Sequence, residues 1–200
     1  MSDLTELLRQ DLHHATQGLL ALNDPNYLHQ LERAALLLAR ALRAGGKLLI
    51  FGNGGSAADA QHIAAELMGR FERERPALPA LALTVDSSLL TAWSNDYAFE
   101  SVFARQIEGL GRAGDVAWGL STSGNSPNVV AAMHRAHELG LHTLAFCGGS
   151  GGKLAAMVDC AVVAPMSATA RIQEAHLISY HTLCHALDAV FAAPATLTLD

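Results

Sequence analysis

Short, continuously apolar segments alternate with helical segments from residue 47 onward, and this alternation restricts the fold more than any other feature. Apolar runs without polar alternation are typical of strands buried on both faces of a parallel sheet. Strands that alternate with helices form a doubly wound sheet with helices on both faces. We therefore predict an α/β fold, a flavodoxin-like three-layer αβα sandwich around a five-stranded parallel sheet. The predicted strands are 47–51, 80–84, 115–120, 141–146 and 159–163, and the predicted helices are 57–71, 87–94, 99–110, 126–139 and 169–192.

Two amphipathic helices are predicted ahead of the sheet, over 4–22 and 26–44, because leucine and alanine recur there at helical spacing. Gly45 and Gly46 follow the second helix in the manner of a C-cap. A helical hairpin ahead of an α/β unit often packs on a neighbouring subunit. The hairpin therefore favours an oligomer.

The chain of 200 residues has the length of one ordinary domain and shows no internal repeat. We predict a single domain over 1–200, with the helical hairpin in 1–45 and the α/β core in 46–200. The formal net charge of −6 argues against a general nucleic-acid binder, which usually carries a basic face. A sugar phosphate needs only a local positive potential, so it remains compatible with this charge.

The cysteines and the apolar runs bear on the cellular location. Cys147, Cys160 and Cys184 are odd in number and lack CxxC spacing, which favours free thiols in a reducing compartment. The N-terminal sequence lacks a basic region followed by an apolar stretch, so no signal peptide is expected. No apolar run approaches the ~20 residues that span a bilayer. We expect a cytoplasmic protein with no membrane partner.

Two Gly/Ser turns, 52–56 and 121–126, each follow a predicted strand and precede a predicted helix. At such a junction the helix dipole and the free backbone N–H groups attract an anion. Neither turn contains lysine or arginine, so hydroxyls and amides would hold the anion. This composition suits the phosphate of a small substrate better than a triphosphate. Both turns lie at carboxyl ends of strands, where doubly wound sheets bind ligands.

The hydroxyl side chains of the turns have a structural alternative and a functional one. Ser56 precedes a helix predicted to begin near Ala57, and serine is a favoured N-cap. The second turn offers four hydroxyls: Ser121, Thr122, Ser123 and Ser126. A capped helix needs only one of them. We therefore interpret this group as a phosphate site.

Two further pairs carry groups suited to metal binding or proton transfer. His62 and Glu66 are four residues apart and therefore share a helix face. They could be an exposed surface pair, two ligands of a divalent metal or an acid–base pair. Gln173 and His181 are eight apart, about 80° around a helix, so both can face one cleft. His181 also stands four residues before His185, which leaves a second metal pairing open.

Asn95 and Asp96 either end a helix as a turn or hydrogen-bond to sugar hydroxyls, and the local sequence leaves both alternatives open. The remaining histidines of interest are assigned structural roles: His134, His137, His142, His176 and His185.

These motifs, in this order and at this spacing, resemble the sugar isomerase (SIS) family and, within it, the phosphoheptose isomerases. The likeness covers nearly the whole chain, including the N-terminal hairpin. It is carried by 52–56, His62 with Glu66, Asn95 with Asp96, 121–126, and Arg171-Ile172-Gln173-Glu174 with His181. The resemblance implies an isomerase that converts sedoheptulose 7-phosphate to D-glycero-D-manno-heptose 7-phosphate through an enediolate, the first step of ADP/GDP-heptose biosynthesis.

The resemblance also implies roles for individual residues. Substrate contacts are implied for Asn53, Gly54, Gly55, Ser56, Glu66, Asn95, Asp96, Ser121, Thr122, Ser123, Ser126 and Gln173. The implied catalytic pair is Glu66 and His181, and the implied ligands of one Zn²⁺ per subunit are His62, Glu66, Gln173 and His181. The resemblance further implies a homotetramer with active sites at subunit interfaces. Whether the metal or the metal-free pair acts during turnover is left open.

A second resemblance gives the alternative function. The stretches 71–79 and 167–174 are similar to proteins that associate with the replication initiator DnaA, and Ala170 stands where many isomerases carry an acid. Those proteins share the fold but lack the carboxylate and the histidine that match Glu66 and His181. A non-catalytic initiator-binding protein or a sugar-phosphate sensor is therefore the alternative to the isomerase.

Overall fold

A computed structural model describes residues 3–192 of the chain. The five strands are β1 (Leu48–Gly52), β2 (Ala80–Ala82), β3 (Val116–Leu120), β4 (His142–Gly148) and β5 (Cys160–Ala164). The helices are α1 (Asp3–Leu20), α2 (Pro25–Arg43), α3 (Gly55–Met68), α4 (Ser87–Asp96), α5 (Val102–Leu110), α6 (Pro127–Glu138), α7 (Gly152–Met157) and α8 (Thr169–Phe191). Short 3-10 turns occur at Ala21–Asn23 and Phe99–Ser101.

The strands form one fully parallel sheet in the order β2-β1-β3-β4-β5, which confirms the predicted topology. The order reverses beside β1, because β2 lies on one side of it and β3 on the other. Gly52 pairs with Leu120, and Leu120 pairs with Phe146, so β1 and β3 end at the same level and β4 continues two residues further, to Gly148. The loops after these strands therefore meet at the switch point, where doubly wound sheets bind their ligands.

Side chains alternate between the two faces of the sheet and enter two separate hydrophobic clusters. Ile50 and Trp118 pack with α2, α3 and α8 on one face. Phe51 and Ala117 pack with α5 and α6 on the other face. All residues of β1 and β3 are buried, as the absence of polar alternation predicts.

The second helix of the N-terminal hairpin ends as predicted. Gly45 adopts a φ of +87°, a left-handed conformation that glycine reaches without a Cβ clash. Its N–H donates to Leu42 O at 3.1 Å, and Gly46 N–H donates to Ala41 O at 2.9 Å. This pair of bonds is a Schellman motif, which satisfies the last carbonyls of α2.

The first helix of the hairpin has no buried residue among those the structure describes. Leu4, Leu7, Leu8 and Leu12 are 63%, 62%, 56% and 68% exposed, although they form one apolar face. This face has no partner within the described part of this chain.

Three local expectations differ from the structure. Ser56 is not the N-cap of α3, because Gly54 occupies that position with a φ of +56° and the helix begins at Gly55. The glycine permits a turn that a residue with a side chain would strain, so Ser56 is buried inside the first helical turn. The short α7 was not predicted, since its glycine-rich start favours a turn. Strand β2 ends at Ala82, earlier than the predicted 80–84.

The division into a hairpin and a core remains a prediction, and its termini at 1 and 200 lie outside the described residues. Within residues 3–192, no helix is both long enough and apolar enough to cross a bilayer.

Candidate active site

Three glycine-containing turns meet at the carboxyl ends of β1, β3 and β4. Two are the predicted turns 52–56 and 121–126, and the third is 148–152, which sequence reasoning missed. The third turn supports the second, because Gly148 N–H donates to Thr122 O at 3.0 Å. Gly124 has a φ of +65°, and a Cβ there would lie 2.0 Å from the carbonyl oxygen of Gly151. The two turns therefore pack too closely for any side chain at position 124.

A reciprocal pair of amide hydrogen bonds joins the first turn to the second. Asn53 Nδ2 donates to Asn128 Oδ1, and Asn128 Nδ2 donates to Asn53 Oδ1, both at 2.8 Å. Asn128 is 3% exposed and lies in the first turn of α6. Sequence reasoning missed Asn128, although a polar amide directly after the serine-rich turn was an available signal.

The hydroxyls of the second turn gather at the start of α6. Ser121 Oγ and Ser126 Oγ are 2.9 Å apart, and Ser123 Oγ accepts from Asn125 N–H at 3.2 Å. Ser126 occupies the N-cap position of α6 but makes no side-chain bond to that helix. Its hydroxyl instead points to Ser121, at a helix N-terminus where the dipole favours an anion.

The predicted pair of His62 and Glu66 forms a hydrogen-bonded cluster with α8. His62 Nε2 and Glu66 Oε1 are 3.0 Å apart, and His62 Nδ1 lies 3.0 Å from the hydroxyl of Tyr180. The rings of His62 and His181 meet edge to face at 5.0 Å between centroids. Glu66 and His181 thus both lie against His62, in one surface patch.

The surroundings of His181 favour its neutral form. Burial lowers the pKa of His181, the charge of His62 lowers it further, and Glu66 acts in the opposite direction. His181 Nε2 is buried and has no hydrogen-bond partner. A neutral imidazole with an unused ring nitrogen can accept or donate one proton during a reaction.

Asp59 and Tyr180 extend this cluster and were missed as site residues. The Tyr180 hydroxyl donates to Asp59 Oδ1 at 3.4 Å, and Asp59 Oδ2 is buried without a partner. Burial raises the pKa of Asp59 to about 6, against the opposing effects of the Tyr180 hydrogen bond and His62. The position of Tyr180, next to His181, was the available sequence signal.

Gln173 and His181 line two different cavities among those of the described residues, and their meeting in one cleft stays a prediction. The Gln173 amide lies over Gly55, where a Cβ would be 2.5 Å from Gln173 Nε2. Gln173 lines a cavity of about 360 Å³ with Asp59, whereas His181 lines another of about 350 Å³ with Phe71. The two residues are about 12 Å apart along α8, since an α-helix rises 1.5 Å per residue.

The other predicted residues take surface or structural positions. Asn95 and Asp96 lie in the last turn of α4, are exposed, and bond to each other at 3.0 Å. His176 is buried and bonds to Cys147 O at 3.0 Å, in line with its predicted structural role. His185 bonds to Glu72 Oε2 at 2.9 Å, so the structure does not pair it with His181.

The predicted zinc ligands do not form a metal-coordinating group as they stand. Within the described residues 3–192, no three or more His, Cys, Asp or Glu side chains are arranged to hold a metal ion. Both ring nitrogens of His62 are engaged, one by Tyr180 and the other by Glu66. The Gln173 amide lies close to Gly55.

Comparisons with known proteins agree with this fold. A family model described as the SIS domain matches residues 15–148. The chain is 53% identical over 162 residues to a phosphoheptose isomerase of Aquifex aeolicus, covering 81% of this chain and 85% of the relative. It is 49% identical over 195 residues to a phosphoheptose isomerase of Paramagnetospirillum magneticum, covering 98% and 100% of the two chains.

A solved structure extends the likeness to three dimensions. The phosphoheptose isomerase from Neisseria gonorrhoeae superposes with a TM-score of 0.88 at 43% identity, covering 94% of this chain and 100% of that one. The fold and the switch-point turns define a SIS-domain protein. The chain belongs to the SIS domain family and, within it, to the phosphoheptose isomerases, a group of enzymes.

Proposed function

We propose that this protein isomerises sedoheptulose 7-phosphate to D-glycero-D-manno-heptose 7-phosphate, which feeds ADP/GDP-heptose biosynthesis. The observation that carries the proposal is the patch in which His62 contacts both Glu66 and His181. A carboxylate can move a proton between two carbon atoms, and a neutral imidazole can move one between two oxygen atoms. The names of the relatives, and their sequence identity to this chain, support the choice of a heptose phosphate as substrate.

In the proposed mechanism, Glu66 removes the proton from C1 of the ketose. The C–H electron pair forms the C1–C2 double bond, and His181 donates a proton to the C2 oxygen. The resulting enediol then gives the proton of the C1 oxygen to His181, C1 becomes the carbonyl carbon, and Glu66 returns its proton to C2. The turns that hold Ser56 and Ser121 would bind the phosphate and fix C1 and C2 against the pair.

The proposed site is shared between subunits of a homotetramer. Glu66 lies about 16 Å along α3 from Gly55, so a site within one subunit would need a nearly extended substrate. A neighbouring subunit that supplies one half of the site removes that demand. The exposed leucine face of α1 supports such an assembly, because large apolar faces of this kind mark protein interfaces.

Sedimentation of the wild type, Leu8→Glu and Gln17→Glu tests the assembly, since both positions are exposed on α1. We expect tetramers for the wild type and Gln17→Glu and smaller species for Leu8→Glu. A monomeric wild type would contradict the shared site.

We also propose one zinc ion per subunit, held by His62, Glu66, Gln173 and His181. The donor set suits zinc, and the unpartnered Nε2 of His181 supports it. Binding would require the hydrogen bond between His62 and Glu66 to open. When bound, zinc polarises a carbonyl as a Lewis acid. Elemental analysis of freshly purified wild type and His62→Ala tests this, and a wild type that takes up no zinc would contradict it.

We propose a cytoplasmic location, which the three free, buried cysteines support. The enzyme needs no nucleic-acid or membrane partner for this reaction.

The experiment that tests the proposed function follows sedoheptulose 7-phosphate in D₂O by NMR, with and without added Zn²⁺. We expect loss of the C1 proton signal and formation of the aldose. The control is fructose 6-phosphate at the same concentration, which should react more slowly. Absence of exchange and of aldose under both conditions would contradict the isomerase, and initiator binding by such an inactive protein would favour the non-catalytic alternative.

A further inference from the structure

A buried ion pair joins α8 to the segment that follows α3. Arg75 Nε lies 2.6 Å from Asp188 Oδ1, and both side chains are 0% exposed. Asp188 Oδ2 accepts the backbone N–H groups of Glu72 at 2.7 Å and Arg73 at 2.8 Å. Burial acts to raise the pKa of Asp188, but these hydrogen bonds and the guanidinium outweigh it and hold the pKa below its usual value.

The remaining nitrogens of Arg75 bind the C-terminal carbonyls of α3. Arg75 Nη2 donates to Glu66 O at 2.8 Å, and Nη1 donates to Leu67 O at 2.9 Å. The last carbonyls of a helix have no partner within the helix, so a buried helix end needs such donors. The backbone of Glu66 is therefore bonded directly to one member of the ion pair.

The other member of the pair is linked to His181. Asp188 lies seven residues after His181, which places both on the same side of α8, two turns apart. Through its bonds to Glu72 and Arg73, Asp188 fixes the backbone next to Phe71. The ring of Phe71 packs on the imidazole of His181 at 5.3 Å between centroids.

We propose that the Arg75–Asp188 ion pair is a positioning device that sets the distance between Glu66 and His181. The inference rests on the proposed function, because it assigns the pair to the same acid–base site. It also gives a role to 71–79, the stretch that the sequence comparison associated with non-catalytic relatives. Arginine is required because its rigid fork binds the carboxylate and two carbonyls together, which the single ammonium of lysine does not do.

The test uses Asp188→Asn and Arg75→Lys, with Phe71→Leu as a milder change that leaves the ion pair intact. Asp115→Asn is the matched control. Asp115 is also buried and accepts Lys47 N–H at 2.9 Å and Arg112 N–H at 2.8 Å, but it lies before β3, at the edge opposite the turns.

The decisive readout is the deuterium found at C2 per aldose molecule formed in D₂O. A base that is held less firmly keeps its proton longer before returning it, so more of the proton exchanges with solvent. A loss of folded protein lowers the rate but leaves this ratio unchanged, because the ratio belongs to each active molecule. We expect the ratio to rise at least about twofold, kcat to fall about tenfold and KM to change little.

Three outcomes separate the inference from the proposed function. The positioning role is supported if the ratio rises in Arg75→Lys and also in at least one of Phe71→Leu and Asp188→Asn. Asp115→Asn should keep the wild-type ratio. An active wild type with an unchanged ratio in the soluble variants overturns the positioning role and leaves the function intact. A wild type without exchange or aldose overturns the proposed function and the positioning role together.

Discussion

Replacement of Asn53 and Asn128 by alanine, singly and together, tests whether the amide pair joins the two turns. Each hydrogen bond contributes about 1 kcal/mol net, and a buried amide left without a partner costs about 1–3 kcal/mol. Asn128 is 3% exposed and its Oδ1 also accepts Val129 N–H at 3.0 Å, so Asn53→Ala leaves its Nδ2 without a partner and out of reach of water. We expect Asn53→Ala to lower the free energy of unfolding by about 2–3 kcal/mol.

Asn128→Ala should cost slightly less, because the half-buried Asn53 can bond to water. The double variant should cost little more than either single one, which gives a coupling energy of about 1–2 kcal/mol. Urea unfolding at fixed protein concentration measures all three. Asn95→Ala, at an exposed position, is the control and should stay within about 0.5 kcal/mol of the wild type. Additive costs in the double variant would refute the bridge between the turns.

Three further predictions follow from the site and its supports. Gly124→Ala should lower the free energy of unfolding in urea by more than about 2 kcal/mol, because a left-handed φ disfavours alanine and the added Cβ meets Gly151 O. The control is Gly109→Ala in α5, where an added Cβ meets nothing, and it should not destabilise the protein. Asp59→Asn should stabilise the protein by about 1 kcal/mol above pH 6, after allowance for partial exposure, and by little near pH 4. Between these pH values the raised pKa of Asp59 makes the folded state bind more protons than the unfolded state, so the stability of the wild type falls as the pH rises. A stabilisation by Asp59→Asn that does not depend on pH would contradict this reasoning. In Asp188→Asn the free energy of unfolding should fall less steeply at acid pH than in the wild type. The lowered pKa of Asp188 confers stability that is present above about pH 4 and is lost below it.

The sheet and the two Gly/Ser turns could be predicted because their signals are local. Apolar runs of strand length define β1 and β3, and the glycine and serine residues that follow them require turns. Helical spacing alone was enough to place His62 beside Glu66. These features depend on neighbours within a few residues, so the sequence carries them directly.

The supports of the site could not be predicted because they join residues far apart in the chain. Asn53 and Asn128 are 75 residues apart, and Arg75 and Asp188 are 113 apart. No periodicity links such partners, and each side chain alone suits an ordinary surface position. The early start of α3 was missed for a different reason, since only the positive φ of Gly54 displaces Ser56 from the cap.

The rate of C1 proton loss from sedoheptulose 7-phosphate in Glu66→Gln tests whether Glu66 is the base that removes this proton. Glutamine keeps the size of the side chain but removes the basic carboxylate. We expect the wild type to exchange the proton and Glu66→Gln to exchange it about 10²–10⁴ times more slowly, with inorganic phosphate binding retained. Exchange at the wild-type rate in Glu66→Gln would contradict Glu66 as the base.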